Sequence, residues 1–226
     1  MNHPVGDDRG GAIVLIGDVV GSRTHPDRRA LQDRVSWVLE EVASKVPEVQ
    51  RLAVTVGDEF QGVFPDLASA VRAALLIRLS LLPEVDTRYG LGSGPFMVFD
   101  DSRQPISQDG PAWWAAREAI TTAKQRSDRP RSRSIRVWYL AATPDGASAG
   151  PGVGPVNAYL SCCDELIGRM SPRELRLTRG VVEGVEQAEL AEREGVVPSA
   201  VSQALSRSGA HTVAASLRLL ETEGRP

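Results

Sequence analysis

Apolar residues follow two different spacings along residues 12–140, and the alternation between them predicts a chain of strands and helices. The continuous apolar run at residues 12–16 predicts a strand that is buried on both faces. Apolar positions at helical spacing over residues 27–46 then predict an amphipathic helix. Two alternating segments, residues 51–56 and 60–64, predict a β-hairpin that turns at Gly-Asp-Glu.

The same criteria predict four further elements, namely a helix at 67–81, a strand at 87–92, a helix at 112–124 and a last strand at 135–140. Residues 96–99 are a candidate hairpin partner of the strand at 87–92. The order strand, helix, strand, strand, helix, strand is typical of ferredoxin-like α+β folds. The sequence therefore predicts an α/β domain of the ferredoxin-like kind over residues 1–142.

Two aspartates fall where this topology brings strand ends together. The first strand of a ferredoxin-like sheet lies antiparallel to the third, so Asp18 is expected beside Asp58. Each follows a glycine, Gly17 or Gly57, which lets a phosphate or a metal approach the backbone. Mg²⁺ prefers one or two carboxylates together with phosphate oxygens, so the pair predicts a Mg²⁺ (or Mn²⁺) site. The alternative is that both are turn aspartates that bond their own backbone.

The second half of the chain has a different pattern. Residues 143–155 are rich in Gly, Pro and Ala, which is typical of a linker. Beyond them, residues 156–226 are helical in pattern throughout. The sequence therefore predicts an all-α domain after the linker, with a helix-turn-helix at residues 187–207.

The helix-turn-helix prediction depends on the spacing of small and apolar residues. Ala191 is the small residue where two helices cross, and Gly195 forms the turn four residues later. The side chains expected to contact DNA are Ser199, Ser202, Gln203, Ser206 and Arg207. Against DNA binding, Glu194 stands at a usually apolar position, Val197 stands where a capping serine is usual, and residues 172–226 contain seven arginines and eight glutamates. The alternative is a helical hairpin used for dimerisation or packing.

Composition and charge exclude several classes of protein. Hydrophobic residues at 42% and charged residues at 24% are ordinary for a globular chain. No apolar run approaches the roughly 20 residues that span a bilayer, and the N-terminus has no signal-peptide pattern, so we expect a cytoplasmic protein without a membrane partner. The adjacent Cys162 and Cys163 and three scattered histidines indicate neither a disulfide framework nor a zinc site. A net charge of −3 means that any DNA contact must be local.

Several other residues are candidates for contact with a nucleotide. The basic residues of segment 124–136 are Lys124, Arg126, Arg129, Arg131, Arg133 and Arg136. Such a loop could grip a triphosphate or a DNA backbone, although most basic runs are simply solvated. Arg23 is another phosphate candidate. Trp113 and Trp114 either stack on a base or form an aromatic pair in the core.

Four segments resemble class III nucleotidyl cyclase domains in their order and spacing: IGDVVGS at 16–22, VGDEFQGVF at 56–64, YGLGSG at 89–94 and DGPAWWAAREA at 109–119. The GDEF tetrapeptide also resembles diguanylate cyclases, a structurally related group. Over residues 12–220 the chain is similar to the bacterial SatD family, which combines such a domain with a C-terminal helix-turn-helix.

The resemblance implies roles for individual residues. It implies that Asp18 and Asp58 hold metal ions, that Arg117 is catalytic and stabilises charge on the transferring phosphoryl group, and that the chain forms a homodimer. Two positions depart from the cyclase pattern, because Trp113 replaces an asparagine and Val54 replaces a purine-reading lysine. These departures favour nucleotide binding over turnover. The expected nucleotide contacts are Gly17, Arg23, Gly57, Trp113, Arg126 and Arg131.

Three functions are therefore open at the level of sequence. The leading hypothesis is a transcriptional regulator that binds double-stranded DNA and responds to a nucleotide bound with Mg²⁺. The second is an active nucleotidyl cyclase, or a related phosphoryl-transfer enzyme, whose C-terminal helices serve regulation or dimerisation. The third is a degenerate domain that binds protein partners and no nucleotide.

Overall fold

The structure is a computed structural model that describes residues 12–55, 57–100, 102, 106–142 and 152–223. Its strands are β1 (Ile13–Val19), β2 (Gln50–Val54), β3 (Glu59–Phe64), β4 (Thr87–Ser93), β5 (Met97–Asp100), β6 (Ser107–Asp109) and β7 (Val137–Ala141). Its α-helices are α1 (Arg28–Ala43), α2 (Leu67–Leu81), α3 (Pro111–Ser127), α4 (Val153–Gly168), α5 (Pro172–Glu183), α6 (Gln187–Glu194), α7 (Pro198–Ser208) and α8 (Ala210–Glu223). Short 3-10 turns at Ser22–Thr24 and Pro130–Ser132 precede α1 and β7.

The main sheet is mixed and has the strand order β2-β3-β1-β4-β7. β1 pairs antiparallel with both β3 and β4, and β7 lies parallel to β4 at the edge. The first four strands of this sheet therefore follow the ferredoxin-like order that the sequence predicts. Asp18 lies opposite Glu59 in the register of β1 and β3, so the end of β1 does meet the hairpin. The predicted pairing of residues 96–99 with the preceding strand is wrong, because β5 pairs with β6 in a separate two-stranded sheet.

Helices cover both faces of the sheet because β1 is apolar on both faces. Leu15 packs in the cluster formed with α1 and α2, whereas Ile16 packs in the cluster formed with α3. α3 lies directly on β4, where glycines leave room for its backbone. A Cβ atom on Gly90 or Gly92 would collide with backbone atoms of α3. The sheet is thus the middle layer between two helical layers.

The C-terminal helices complete the core on the α1 and α2 face. Leu160 of α4, Leu175 of α5 and Leu217 of α8 are buried in one cluster with residues of the sheet, α1 and α2. Arg72 of α2 joins this packing through an ion pair with Glu221 of α8 at 2.7 Å. The structure therefore does not show a separate helical domain, although the sequence predicts one. Most of the predicted linker, residues 143–151, lies outside the described residues, and α4 already begins at its end.

Two buried polar residues of α4 cover the edge of the sheet at β7. The side-chain amide of Asn157 bonds both backbone groups of Tyr139, with the N–H donating to Oδ1 at 2.8 Å and the carbonyl accepting from Nδ2 at 2.8 Å. Two turns later, Asp164 Oδ2 accepts from the backbone N–H groups of Arg136 and Val137 at 2.6 and 2.9 Å. These side chains take the place of a further strand, because they satisfy backbone groups that would otherwise be buried without partners.

Candidate functional site

A cavity of about 250 Å³ opens at the end of the sheet where β1 meets the hairpin and the first turns of α1. Its apolar lining consists of Val19, Leu31, Val35 and Val54, and its polar lining consists of Ser22, Arg28, Arg29, Gln32, Gly57 and Asp58. An apolar floor with a rim of arginines, an amide and a carboxylate suits a polar ligand that carries an apolar part.

Local backbone geometry positions this rim. Gly21 and Gly57 have φ of 73° and 68°, a left-handed conformation that glycine adopts without strain. The side chain of Asp27 caps α1 by accepting from the backbone N–H groups of Arg29 and Ala30 at 3.1 and 2.9 Å. The cap fixes the first turn of α1, and Arg28 and Arg29 lie in that turn beside the cavity. Two arginines near a helix N-terminus favour an anionic ligand.

Asp18 and Asp58 lie at the same end of the sheet but face opposite sides. Asp18 is the register partner of both Glu59 and Arg88, on the α3 side. Its carboxylate accepts from Arg88 Nε at 3.0 Å and from Nη2 at 3.2 Å, so both oxygens are engaged. Asp58 instead lines the cavity beside α1. The backbones at Asp18 and Asp58 thus meet at one end of the sheet. The two carboxylates are separated because their side chains lie on opposite faces of the sheet.

The residues present fit Mg²⁺ only in part. Within the described ranges, no group of three or more His, Cys, Asp or Glu side chains lies close enough to hold a metal ion. Asp58, half-buried in the cavity, fits the common arrangement of one carboxylate that shares Mg²⁺ with ligand phosphates. Asp18 does not fit as a second ligand while it is paired with Arg88.

Arg117, which the resemblance assigns to the transferring phosphoryl group, is paired within its own chain. Its guanidinium forms two hydrogen bonds with the Glu59 carboxylate, one of them at 2.8 Å. Burial raises the pKa of the Glu59 carboxyl, but hydrogen bonds from Arg117 and Gln61 outweigh burial and hold that pKa below its usual value. The hydrogen bonding with Glu59 also raises the pKa of Arg117. Sequence reasoning missed Glu59 and Arg88, although the GDEF segment contains Glu59.

The structure distributes the other predicted nucleotide contacts over several places. Gly17 leaves room for the ring of Phe60, which a Cβ would strike. Arg23 is exposed in the turn before α1. Trp113 is 9% exposed and packs edge-to-face on Phe96 with ring centroids 6.5 Å apart, so it lies in the core. The predicted aromatic pair with Trp114 is wrong, because Trp114 is 57% exposed.

The two predicted arginines of the basic segment lie near β7, away from the cavity beside α1. The guanidinium of Arg126 stacks on the ring of Trp138, 4.0 Å from its centroid. Arg131 lines a second cleft near the start of β7. Only Gly57 among the predicted nucleotide contacts lines the cavity at β1. Sequence reasoning missed Arg28, Arg29 and Gln32, because polar residues on the exposed side of a helix are common and carry no spacing signal.

The helices α6 and α7 lie where the sequence predicts a helix-turn-helix, at residues 187–207. Ala191 is buried at 2% exposure, and Gly195 ends α6 with φ of 65°. Apolar residues of α5, α6 and α7, together with the first residue of α8, form a small core of their own, made of Leu177, Leu190, Ala191, Val201, Ala204, Leu205 and Ala210. The five predicted DNA contacts, Ser199, Ser202, Gln203, Ser206 and Arg207, are all exposed on α7.

The unusual glutamate of this segment has a structural partner. Both carboxylate oxygens of Glu194 accept from Arg176 of α5 at 2.7 Å. These hydrogen bonds hold the pKa of Glu194 below its usual value. The acidic residue is thus part of the packing between α5 and α6.

Comparison with known proteins identifies the family. The family model for the SatD family matches residues 12–218. The chain belongs to the SatD family. No curated protein matches this SatD-family chain significantly. No helix in the described part of the SatD protein is long and apolar enough to cross a membrane.

Among solved structures, the SatD protein is similar to the guanylyl cyclase domain of the RhoGC fusion protein from the aquatic fungus Blastocladiella emersonii. A monomeric double mutant of that domain has 22% identity and a TM-score of 0.40, over 49% of this chain and 73% of that chain. A dimeric form of the domain has 20% identity and a TM-score of 0.38, over the same shares of 49% and 73%.

Proposed function

We propose that this SatD-family protein is a transcriptional regulator, which binds double-stranded DNA through α6 and α7 and a nucleotide through the cavity beside α1. The observation that carries the proposal is the two-sided character of α7. Val201, Ala204 and Leu205 are buried against α5 and α6. The opposite side consists of exposed serines, Gln203 and Arg207.

This exposed side has the chemistry that DNA recognition requires. Gln203 can donate to and accept from one base edge, and the serines can reach bases or phosphates. Arg207 supplies positive charge to a phosphate. The neighbouring acidic residue, Glu194, is neutralised by Arg176 and so repels DNA less than its sequence position suggests. A homodimer would present two such helices and double the contact area.

We expect Gln203→Ala combined with Arg207→Ala to weaken DNA binding at least tenfold, because a good base contact alone contributes about 1–3 kcal/mol of discrimination. The measurement is fluorescence anisotropy on genomic fragments that the wild-type protein has enriched. Arg51→Ala is the matched control, since Arg51 is an exposed arginine on β2 with its side chain 73% accessible. Its affinity should stay within twofold of wild type.

Two results would contradict this part of the proposal. One is that the wild-type protein enriches no fragment at low salt. The other is that the α7 variant and the Arg51 variant bind equally well. In either case the helical hairpin would serve packing or assembly.

For the nucleotide, we assign distinct tasks to the two parts of the cavity. Arg28 and Arg29 bind phosphates, and the apolar floor receives the base. Asp58 and phosphate oxygens together hold Mg²⁺, which screens the negative charge of the phosphates. Asp18 keeps its pair with Arg88 and makes no contact with the ligand in this arrangement.

We expect a nucleotide at 100 times its dissociation constant to stabilise the protein by about 2.7 kcal/mol, visible as a raised melting temperature. Asp58→Asn should lose the Mg²⁺-dependent part of that shift, whereas Asp18→Asn should retain it. The measurement is a thermal-shift series with purine and pyrimidine nucleotides, with and without Mg²⁺. A shift that is lost in Asp18→Asn and kept in Asp58→Asn would contradict this assignment, and a cyclic product from ATP or GTP would favour the cyclase function.

A further inference from the structure

A second, larger cleft of about 570 Å³ lies where the loop before β7 faces the turn between α4 and α5. Its lining includes five arginines, Arg78, Arg131, Arg133, Arg136 and Arg169. Two carboxylates, Asp86 and Glu165, also line it. It shares no lining residue with the cavity beside α1. The cleft is therefore a separate, arginine-rich concavity.

Among the described residues, some arginines of this cleft are paired with a carboxylate, and others are not. Arg136 is held by Asp86, whose Oδ2 accepts from Nε at 2.7 Å. Arg169 pairs with Glu165 one turn earlier on α4. Arg131 and Arg133 are exposed at the rim, and no carboxylate in the described part of the chain pairs with them.

Arg78 forms the floor of the cleft and is almost fully buried, with 3% exposure. Its Nη1 donates to Asp164, but its Nε has no hydrogen-bond acceptor among the described residues. Oδ1 of Asp86 lies 4.0 Å from that Nε, beyond hydrogen-bond distance. A buried donor without an acceptor is costly, and the hydrogen-bonding capacity of the Arg78 guanidinium is therefore only partly used.

We propose that this cleft binds a small molecule with two or more phosphate groups. The guanidinium group matches the geometry of phosphate oxygens, and several arginines converging on one concavity suit a polyphosphate better than a single phosphate. The cleft volume lies within the usual range for small-ligand sites. A duplex would contact only the rim, since Arg78 lies at the bottom of the concavity. This inference goes beyond the proposed function and assigns Arg131 to a different ligand site.

The ligand in this cleft contacts two parts of the fold at once. Arg131 and Arg133 belong to the loop before β7, whereas Gly168, Arg169 and Met170 form the turn that leads into α5. Binding therefore links the sheet to the helix on which α6 packs.

The test measures the binding of inorganic pyrophosphate to the full-length protein. The method is isothermal titration calorimetry, with the ionic strength held constant with NaCl. We expect one pyrophosphate to bind per chain, with orthophosphate at least tenfold weaker. The double variant Arg131→Ala/Arg133→Ala should weaken pyrophosphate binding at least tenfold. Arg129→Ala is the matched control, because Arg129 is exposed on the same loop but does not line the cleft. It should change the affinity less than twofold.

Each of four results would overturn the proposal. Pyrophosphate fails to bind the wild-type protein, or it binds the double variant with unchanged affinity. Arg129→Ala weakens binding as much as the double variant, which indicates a diffuse charge effect. Arg28→Ala abolishes binding while the double variant keeps it, which places the probe in the cavity beside α1. This last result would leave the proposed nucleotide site intact, so the two proposals fail independently.

Discussion

Asp164→Asn is expected to lower the free energy of unfolding by about 3–5 kcal/mol, because it removes the closest counter-charge of the buried Arg78 and leaves, among the described residues, only Asp86, 4.0 Å from Nε. Both side chains of this ion pair are at most 3% exposed. The asparagine amide would also place N–H donors against either the guanidinium or the backbone N–H groups of β7, which now share the two carboxylate oxygens. Equilibrium unfolding in urea measures the loss.

The neighbouring variant Glu165→Gln is the matched control, since it removes an exposed carboxylate from the same helix and should leave the urea midpoint unchanged. The double variant Arg78→Met/Asp164→Leu should recover only part of the lost stability, because it removes the uncompensated charge but leaves the backbone N–H groups of Arg136 and Val137 without their acceptor. Equal urea midpoints for Asp164→Asn and wild type would show that the pair is hydrated in solution.

Gly90→Ala is expected to destabilise the protein by about 3 kcal/mol, at the upper end of the usual range for overpacked sites. The added Cβ would meet the carbonyl oxygen of Ala116 and the backbone nitrogen of Ile120, and neither can move without shifting α3. The melting temperature measures this effect. Loss of the near-ultraviolet circular dichroism signal, which comes from aromatic residues, would indicate that α3 has shifted.

Gly154→Ala provides the comparison for this prediction. Gly154 lies in the first turn of α4, and a Cβ there meets no atom within 4 Å. Alanine is the better helix former, so this variant should be neutral or stabilised by up to about 1 kcal/mol. A destabilisation of similar size in both variants would mean that the close approach of α3 to β4 does not limit residue size.

The sequence predicted the meeting of β1 and the hairpin because topology alone decides it. An antiparallel first and third strand must bring residues 18 and 58 to one end of the sheet, whatever their side chains do. The side-chain arrangement needed the structure, since one residue of register decides which face a carboxylate occupies. Asp18 therefore pairs with Arg88, a contact over 70 positions that no local pattern indicates.

The two short helices and the turn at Gly195 were predictable because their signals are local, from Ala191 to Gly195 and into α7. The packing of α4 and α8 against the sheet, α1 and α2 was not predictable. The Gly- and Pro-rich segment is typical of a linker, whereas the burial of Leu160 and Leu217 with α1 and α2 depends on long-range packing. Buried polar residues such as Asn157 and Asp164 were also invisible, because a helical pattern does not show which polar side chain bonds a strand edge.

The cover that α4 places over β7 also bears on self-association. An uncovered outer strand can pair with the same strand of another molecule, and such pairing is a common route to aggregation. Asn157 and Asp164 occupy backbone groups that this pairing would need. In the main sheet, β2 is the strand at the opposite edge, and it pairs only with β3. α4 therefore protects the sheet from pairing with other molecules at one edge, a role separate from any contact with DNA.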